Sequence, residues 1–171
     1  MMSLEITAQA FGLLSFVLGL STFYQKDDKK LKVVMLIFNL NHVVHYLLLG
    51  SIVSALGALL SAVRTATAIH FSSKKFAFIF IAISVVSGLA LADNVWQLWP
   101  IVGTVIGTYS VFVLKGIKLR IGFLLGACCW LINNILVGSI GGTLLEMSVI
   151  MMNTVTICRL YREQHTKIVA N

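Results

Sequence analysis

The sequence predicts an all-α fold, a polytopic membrane bundle of seven transmembrane helices. Three observations carry that expectation. Of the 171 residues, 58% are hydrophobic and only 11% are charged, and the mean hydropathy is +0.96, whereas a soluble domain of this size needs a charge-rich surface. The apolar residues fall into seven runs of about the length, roughly 20 residues, that crosses the hydrocarbon core. Basic residues gather at every second connection between those runs. Seven spans leave roughly thirty residues for loops and tails, so no appended soluble domain is expected. A single proline and the lack of alternating ten-residue strands exclude an outer-membrane barrel.

The runs lie at about 6–24, 31–50, 52–71, 76–92, 97–114, 119–138 and 140–160. The first has no positive segment before it and no small-residue cleavage motif after it, so it is expected to stay in the membrane as a span. The second and third form one apolar stretch, about 60 Å long as a single helix and twice the hydrocarbon thickness. It must break, and Gly50-Ser51 is the place. The fourth follows Lys74 and Lys75. The fifth follows Asp93-Asn94 and carries Pro100. The sixth and seventh again form one overlong stretch, broken at Gly138-Ser139. Lys26, Lys29, Lys30, Lys32, Lys74, Lys75, Lys115, Lys118, Arg120, Arg159, Arg162 and Lys167 then share one side of the membrane. By the positive-inside rule the N-terminus is expected outside and the C-terminus in the cytoplasm. The net charge of +7 is thus a marker of topology, and no nucleic-acid partner is expected.

A shift of 88 positions superposes Gly50-Ser51-Ile52 on Gly138-Ser139-Ile140. Without a gap it also pairs Gln9 with Gln97, Gly19 with Gly107, Lys30-Leu31 with Lys118-Leu119, Leu36 with Leu124 and Leu48 with Leu136. Ser15-x-x-x-Gly19 falls on Gly103-x-x-x-Gly107, a small-residue spacing that allows close helix approach. The expectation is one membrane domain, 1–171, with a three-helix repeat at 6–71, a linking helix at 76–92 and a second repeat at 97–160. The two repeats would be parallel, a plan known among transporters.

Inside the spans, polar side chains are concentrated on particular faces. Asn39, Asn41, His42, His45 and Tyr46 occupy about 160° of the second helix. Trp130, Asn133 and Asn134 share a face of the sixth, with Asn134 at the position of Tyr46. Ser54, Gly57, Ser61, Arg64, Thr65 and Ala68 line the third, Gln97, Thr104 and Thr108 the fifth, and Glu146 and Asn153 the seventh. Arg64, about 16 Å into its helix, and Glu146 each cost on the order of 2.5–3.5 kcal/mol at a helix centre. Their Cα levels differ by about 9 Å, which leaves either a salt bridge or a shared hydrated cavity open. A dry, fully satisfied network of so many groups is demanding. A polar cavity between the repeats accommodates them together, and His42, His45, Tyr46, Arg64, Gln97, Trp130, Asn134, Glu146 and Asn153 are its candidate solute-binding residues. Ser15, Gly19, Gly50, Pro100, Gly103, Gly107 and Gly138 are read as turn and packing positions.

Chemistry beyond binding has little support. His42-x-x-His45 has a spacing unlike helical zinc sites and lacks further ligands, so no metal is expected. No nucleophile is paired with a base, no aspartate lies at a helix centre, and Gly141-Gly142 is no phosphate loop. Neither an enzyme nor a cofactor is expected. Cys128, Cys129 and Cys158 read as small apolar packing residues.

The chain resembles the bacterial YgjV inner-membrane proteins. The matching features are Gln9, Gly12, Gly19 and Phe23; Asp27; His45 with Leu48-Leu49-Gly50; Arg64-Thr65; Pro100, Gly103-Thr104 and Thr108; Lys115-Gly116 and Arg120; Cys128-Cys129-Trp130 with Asn134; Gly138 through Thr143 with Glu146; and Asn153 with Arg159. The resemblance implies a bacterial inner-membrane location and no particular activity. Its helix plan is similar to that of SWEET and nicotinamide riboside transporters, although the prolines of the first, second and sixth SWEET helices are missing here. The expected role is a facilitator or secondary transporter of a small polar solute, and the alternative is a non-transporting receptor or partner-binding subunit. The expected partners are the lipid bilayer and that solute, with a homo-oligomer left open.

Overall fold

A computed structural model describes residues 2–22, 28–71, 73–114 and 116–169. Phe23, Lys26, Asp27 and Lys115, used above as sequence markers, lie outside the described residues. Seven helices follow one another: α1 (Met2–Thr22), α2 (Asp28–Leu48), α3 (Ile52–His70), α4 (Lys74–Leu91), α5 (Trp99–Val113), α6 (Gly116–Leu136) and α7 (Ile140–Val169). Among the described residues, five stretches are long and apolar enough to cross a membrane, namely Ser3–Thr22, Ile52–His70, Lys74–Leu91, Gly116–Leu136 and Ile140–Arg162. α2 contributes the apolar stretch Lys32–Leu48.

The overlong apolar stretches break where a residue can adopt the left-handed conformation. Gly50 has φ 73° and Gly138 has φ 71°, a backbone region that costs any residue with a Cβ. The bonds that close the two helices match. Gly50 N donates to Leu47 O and Ser51 N to Tyr46 O; Gly138 N donates to Ile135 O and Ser139 N to Asn134 O. The fifth span starts two residues later than the hydropathy suggests. Val95–Leu98 form a 3-10 turn in which the Asn94 side chain accepts from Gln97 N at 3.2 Å, and Pro100 sits in the first turn of α5, where its missing N–H is harmless. α7 runs nine residues past the expected end at 160, since no glycine or proline stops it.

Consecutive helices pack together within α1-α2-α3 and within α5-α6-α7. Contacts of α1 with α7 and of α3 with α5 close these six into a ring, and α4 packs outside it against α3 and α5. The outer surface is apolar: Ile79, Val86 and Leu89 of α4, Ile37 and Val44 of α2 and Met151 and Val155 of α7 are all exposed. The interior is polar, with Ser15, Asn39, His42, His45, Arg64, Thr104, Thr108, Asn134 and Asn153 buried. This inversion of a soluble protein is what a hydrocarbon solvent imposes.

The α1-α7 contact that closes the ring depends on two glycines. A Cβ on Gly141 would meet the Gly12 carbonyl and the Leu13 amide of α1, which are backbone atoms and cannot turn aside. A Cβ on Gly50 meets nothing within 4 Å, so only its φ resists substitution. Gly141→Ala is therefore expected to destabilise by about 1–3 kcal/mol through overpacking and Gly50→Ala by about 1 kcal/mol. Thermal unfolding in detergent measures both, and only the first should be relieved by relaxing the α1-α7 crossing.

Candidate binding cavity

The ring encloses a cavity of about 530 Å³. All six ring helices line it and α4 does not. α1 supplies Gly19 and Thr22, α2 Lys32, Asn39 and His42, α3 Ala58, Ser61, Arg64 and Thr65, α5 Gly103, Thr104 and Gly107, α6 Arg120 and Trp130, and α7 Glu146 and Asn153. Counting along each helix gives their depth. His42 and Trp130 precede Gly50 and Gly138 by eight residues, and Ala58 and Glu146 follow them by eight, so all four lie about 12 Å below the two turns. That layer is the floor. The lining continues to Thr22, Lys32, Leu119 and Arg120, at the end of the bundle where the basic residues gather.

Arg64 enters from α3. Its guanidinium donates from Nη1 to Thr108 Oγ1 at 3.1 Å and rests against Gly107, where a Cβ would stand 3.2 Å from Nη1. Thr108 is free to accept because its own hydroxyl donates to Thr104 O at 2.7 Å. Among the described residues no ion pair joins Arg64 to Glu146. The six-residue difference in depth, about 9 Å of helix rise, separates them as the sequence arithmetic indicated.

Trp130 fits between α3 and α5 because Gly57 and Gly103 have no side chain: added Cβ atoms there would approach its ring to 3.1 and 2.7 Å. Its indole stacks on Tyr46, with centroids 5.7 Å apart and planes at 22°. Tyr46 belongs to a layer that closes the cavity toward the Gly50 and Gly138 turns. The Tyr46 hydroxyl donates to Asn134 Oδ1 at 2.6 Å, and Ser54 Oγ donates to Asn133 Oδ1 at 2.8 Å. His45 Nδ1 lies 2.7 Å from Ala8 O, which can only accept, so Nδ1 carries the proton. Nε2 then accepts from Ser139 Oγ at 2.6 Å, and Ser139 Oγ in turn accepts from Gly142 N at 3.0 Å. Gln9 completes the layer from α1, donating to Gly138 O at 2.7 Å and accepting from Ile140 N at 3.1 Å.

Residues 6–164 match Imp-YgjV, a family described as bacterial inner membrane protein. The chain belongs to this family. Inner membrane protein YgjV of Escherichia coli (strain K12) is 34% identical over 157 residues, covering 92% of this chain and 86% of that protein. No solved structure matches. With its several membrane-crossing helices, the YgjV-family chain is thus a multi-pass bacterial inner-membrane protein.

In this YgjV-family chain the residues singled out from sequence divide into three groups. His42, Arg64, Trp130, Glu146 and Asn153 line the cavity. His45, Tyr46 and Asn134 stand in the closing layer, with both nitrogens of His45 engaged and unavailable to a metal. Gln97 lies apart from both, on the 3-10 turn, where its Oε1 accepts from Asp93 N at 2.9 Å. Two lining residues had been read only as topology markers, Lys32 and Arg120. Their 88-residue separation was the available signal. Lys32 also donates to Ala68 O at 2.6 Å, where a cation suits the carbonyl end of α3.

The Tyr46-Asn134 bond ties α2 to α6 across the ring, so its two ends should be energetically coupled. Tyr46→Phe and Asn134→Leu, singly and together, are expected to give a double-mutant coupling of about 1 kcal/mol, read from unfolding curves in detergent. Additive effects would mean that the bond contributes nothing.

Proposed function

We propose that this protein carries a small polar solute across the inner membrane by alternating access of the cavity between two parallel three-helix units, α1-α3 and α5-α7, with α4 as the linking helix. The observation that carries the proposal is the make-up of the lining. Nine pairs of lining residues are each 88 positions apart: Gly19 and Gly107, Lys32 and Arg120, Met35 and Phe123, Phe38 and Gly126, Asn39 and Ala127, His42 and Trp130, Ala58 and Glu146, Ser61 and Val149, and Thr65 and Asn153. Equivalent positions of both units thus face one central space, as in transporters built from repeats related by an axis along the membrane normal. The matched turns at Gly50 and Gly138 and the Tyr46-Asn134 bond, also 88 residues apart, support the same relation.

The volume lies within the range of small-molecule sites, and the ionisable and amide groups set into a largely apolar lining suit a small solute with polar ends. Under the positive-inside rule the basic mouth is cytoplasmic. The cavity then faces the cytoplasm, the Tyr46-His45 layer closes it from the periplasm, and the N-terminus is periplasmic. Interhelical hydrogen bonds within membranes average about 0.6 kcal/mol, so such a layer can be broken and remade within a transport cycle. The protein changes no covalent bond of its cargo.

Reconstituted vesicles test this directly. After incubation in a deproteinised bacterial extract and washing, their contents are analysed by mass spectrometry. At least one small polar solute is expected to accumulate over protein-free vesicles, with the uptake reduced at least tenfold in Ser61→Leu, which fills the lining without removing a charge. A solute that binds the protein yet never enters would make it a membrane receptor. Contents identical to those of empty vesicles would end the carrier reading.

A further inference from the structure

Resting on the carrier reading, we infer that the cargo is a zwitterion of amino-acid size, its anionic group held at Arg64 and its ammonium group at Glu146 beside Trp130. The cavity lining holds a guanidinium and a carboxyl group that do not pair with each other. Arg64 is 8% exposed and uses one of its five N–H donors on an uncharged partner, Thr108. Glu146 projects into the floor layer with His42 and Trp130, and among the described residues no donor lies within hydrogen-bond distance of its carboxylate. Arg64 and Glu146 are thus left for a ligand that carries the complement of both.

The other charge classes fit less well. An anion satisfies Arg64 but meets the Glu146 carboxylate, a cation does the reverse, and a neutral solute leaves both charges unpaired in a medium where that is costly. A carboxylate next to an indole is a fitting site for an ammonium, which gains charge pairing and a cation-π contact together. The cavity is also polarised along its length. Lys32 and Arg120 stand at the mouth, Arg64 lies between, and Glu146 is at the floor, so a zwitterion enters ammonium first with its dipole aligned to the field. His42 Nε2, in the floor layer, has no hydrogen-bond partner, and its residue is 4% exposed.

The poles occur once each. The counterpart of Glu146 in the first unit is Ala58, and that of Arg64 in the second is Met152, which is exposed on the outer surface. The cavity therefore offers one oriented site.

The test is isothermal titration of the detergent-purified protein with the proteinogenic amino acids of uncharged side chain, each beside its N-acetyl derivative, which is purely anionic, and its carboxamide, which is purely cationic. At least one amino acid is expected to bind, with affinity falling at least tenfold on either modification. Glu146→Gln should weaken the amino acid without weakening the N-acetyl derivative, and Arg64→Gln should spare only the carboxamide. The comparison of the three compounds on the wild-type protein stands even where a variant fails to fold. Equal or tighter binding of a derivative would overturn the zwitterion while leaving the carrier intact. Should no compound of the panel bind, the solute recovered from vesicles decides: a zwitterion upholds the inference and any other charge state overturns it. Failure of all uptake removes the carrier reading as well.

Discussion

A polar side chain at mid-bilayer finds no partner in lipid, and this constraint orders the whole molecule. Six helices carry polar stripes, so the stripes must meet, and six helices meeting on one axis make a ring. α4 has few polar residues, with Ser84 and Ser87 donating to carbonyls of their own helix. It can therefore lie outside, exposing Phe78 and Ile83. Where helices touch, small residues let them approach: Gly12 against Gly141, Gly57 and Gly103 around Trp130, and Gly19 against Leu145.

The polar interior is divided by the kind of group that keeps unused capacity. In the closing layer the Tyr46 and Ser54 hydroxyls and both His45 nitrogens are engaged while the Asn133 and Asn134 Nδ2 groups have no acceptor, and Ser139 links the two units by donating to His45 while accepting from Gly142. In the cavity the strongest groups keep unused capacity. A bundle held together only by polar glue would place its guanidinium and carboxylate where they pair. Here Arg64 leans on Thr108 and Gly107, and Glu146 faces the opening. Unpaired charge in a protein interior is costly, so a layer of linked neutral groups and a chamber with an unpaired guanidinium and carboxyl are physically different structures within one bundle.

Much of this was legible in the sequence, for reasons that can be stated. Hydrocarbon thickness fixed the helix count, the overlong stretches had to break at Gly50 and Gly138, and the stripes on α2, α3, α6 and α7 announced an inward face. Assigning each polar residue to layer or cavity was not legible, because His42 and His45 lie less than one turn apart and their fates depend on how α2 is rotated against α1 and α6. Gln97 misled because its alignment with Gln9 is real while its backbone is a 3-10 turn capped by Asn94. Lys32 and Arg120 were hidden by a second role, since a basic residue at a helix end already has a topological explanation. The partner of Arg64 was beyond reach, as the register between α3 and α5 is set by packing around Trp130 and is written in no local pattern.

On the carrier reading, the relation between symmetry and chemistry has a further consequence. A frame built from equivalent positions lets the two units rock as matched bodies about one axis along the membrane normal. Binding needs the opposite, since a site with identical groups at both poles cannot orient a cargo. The lining meets both demands by matching Gly19 with Gly107, Met35 with Phe123 and, at the mouth, Lys32 with Arg120, while the ionisable positions deeper in the cavity differ. Glu146 stands opposite Ala58, Trp130 opposite His42, and Arg64 has no charged counterpart. Exchanging Glu146 with Ala58 would preserve composition and volume yet move the negative pole from α7 to α3, the helix that carries Arg64. The two charges would then stand six residues apart on one helix, about 9 Å of rise and 120° around it, on the same wall of the cavity. The present arrangement puts them on helices that face each other across the ring, and so sets the two poles on opposite walls.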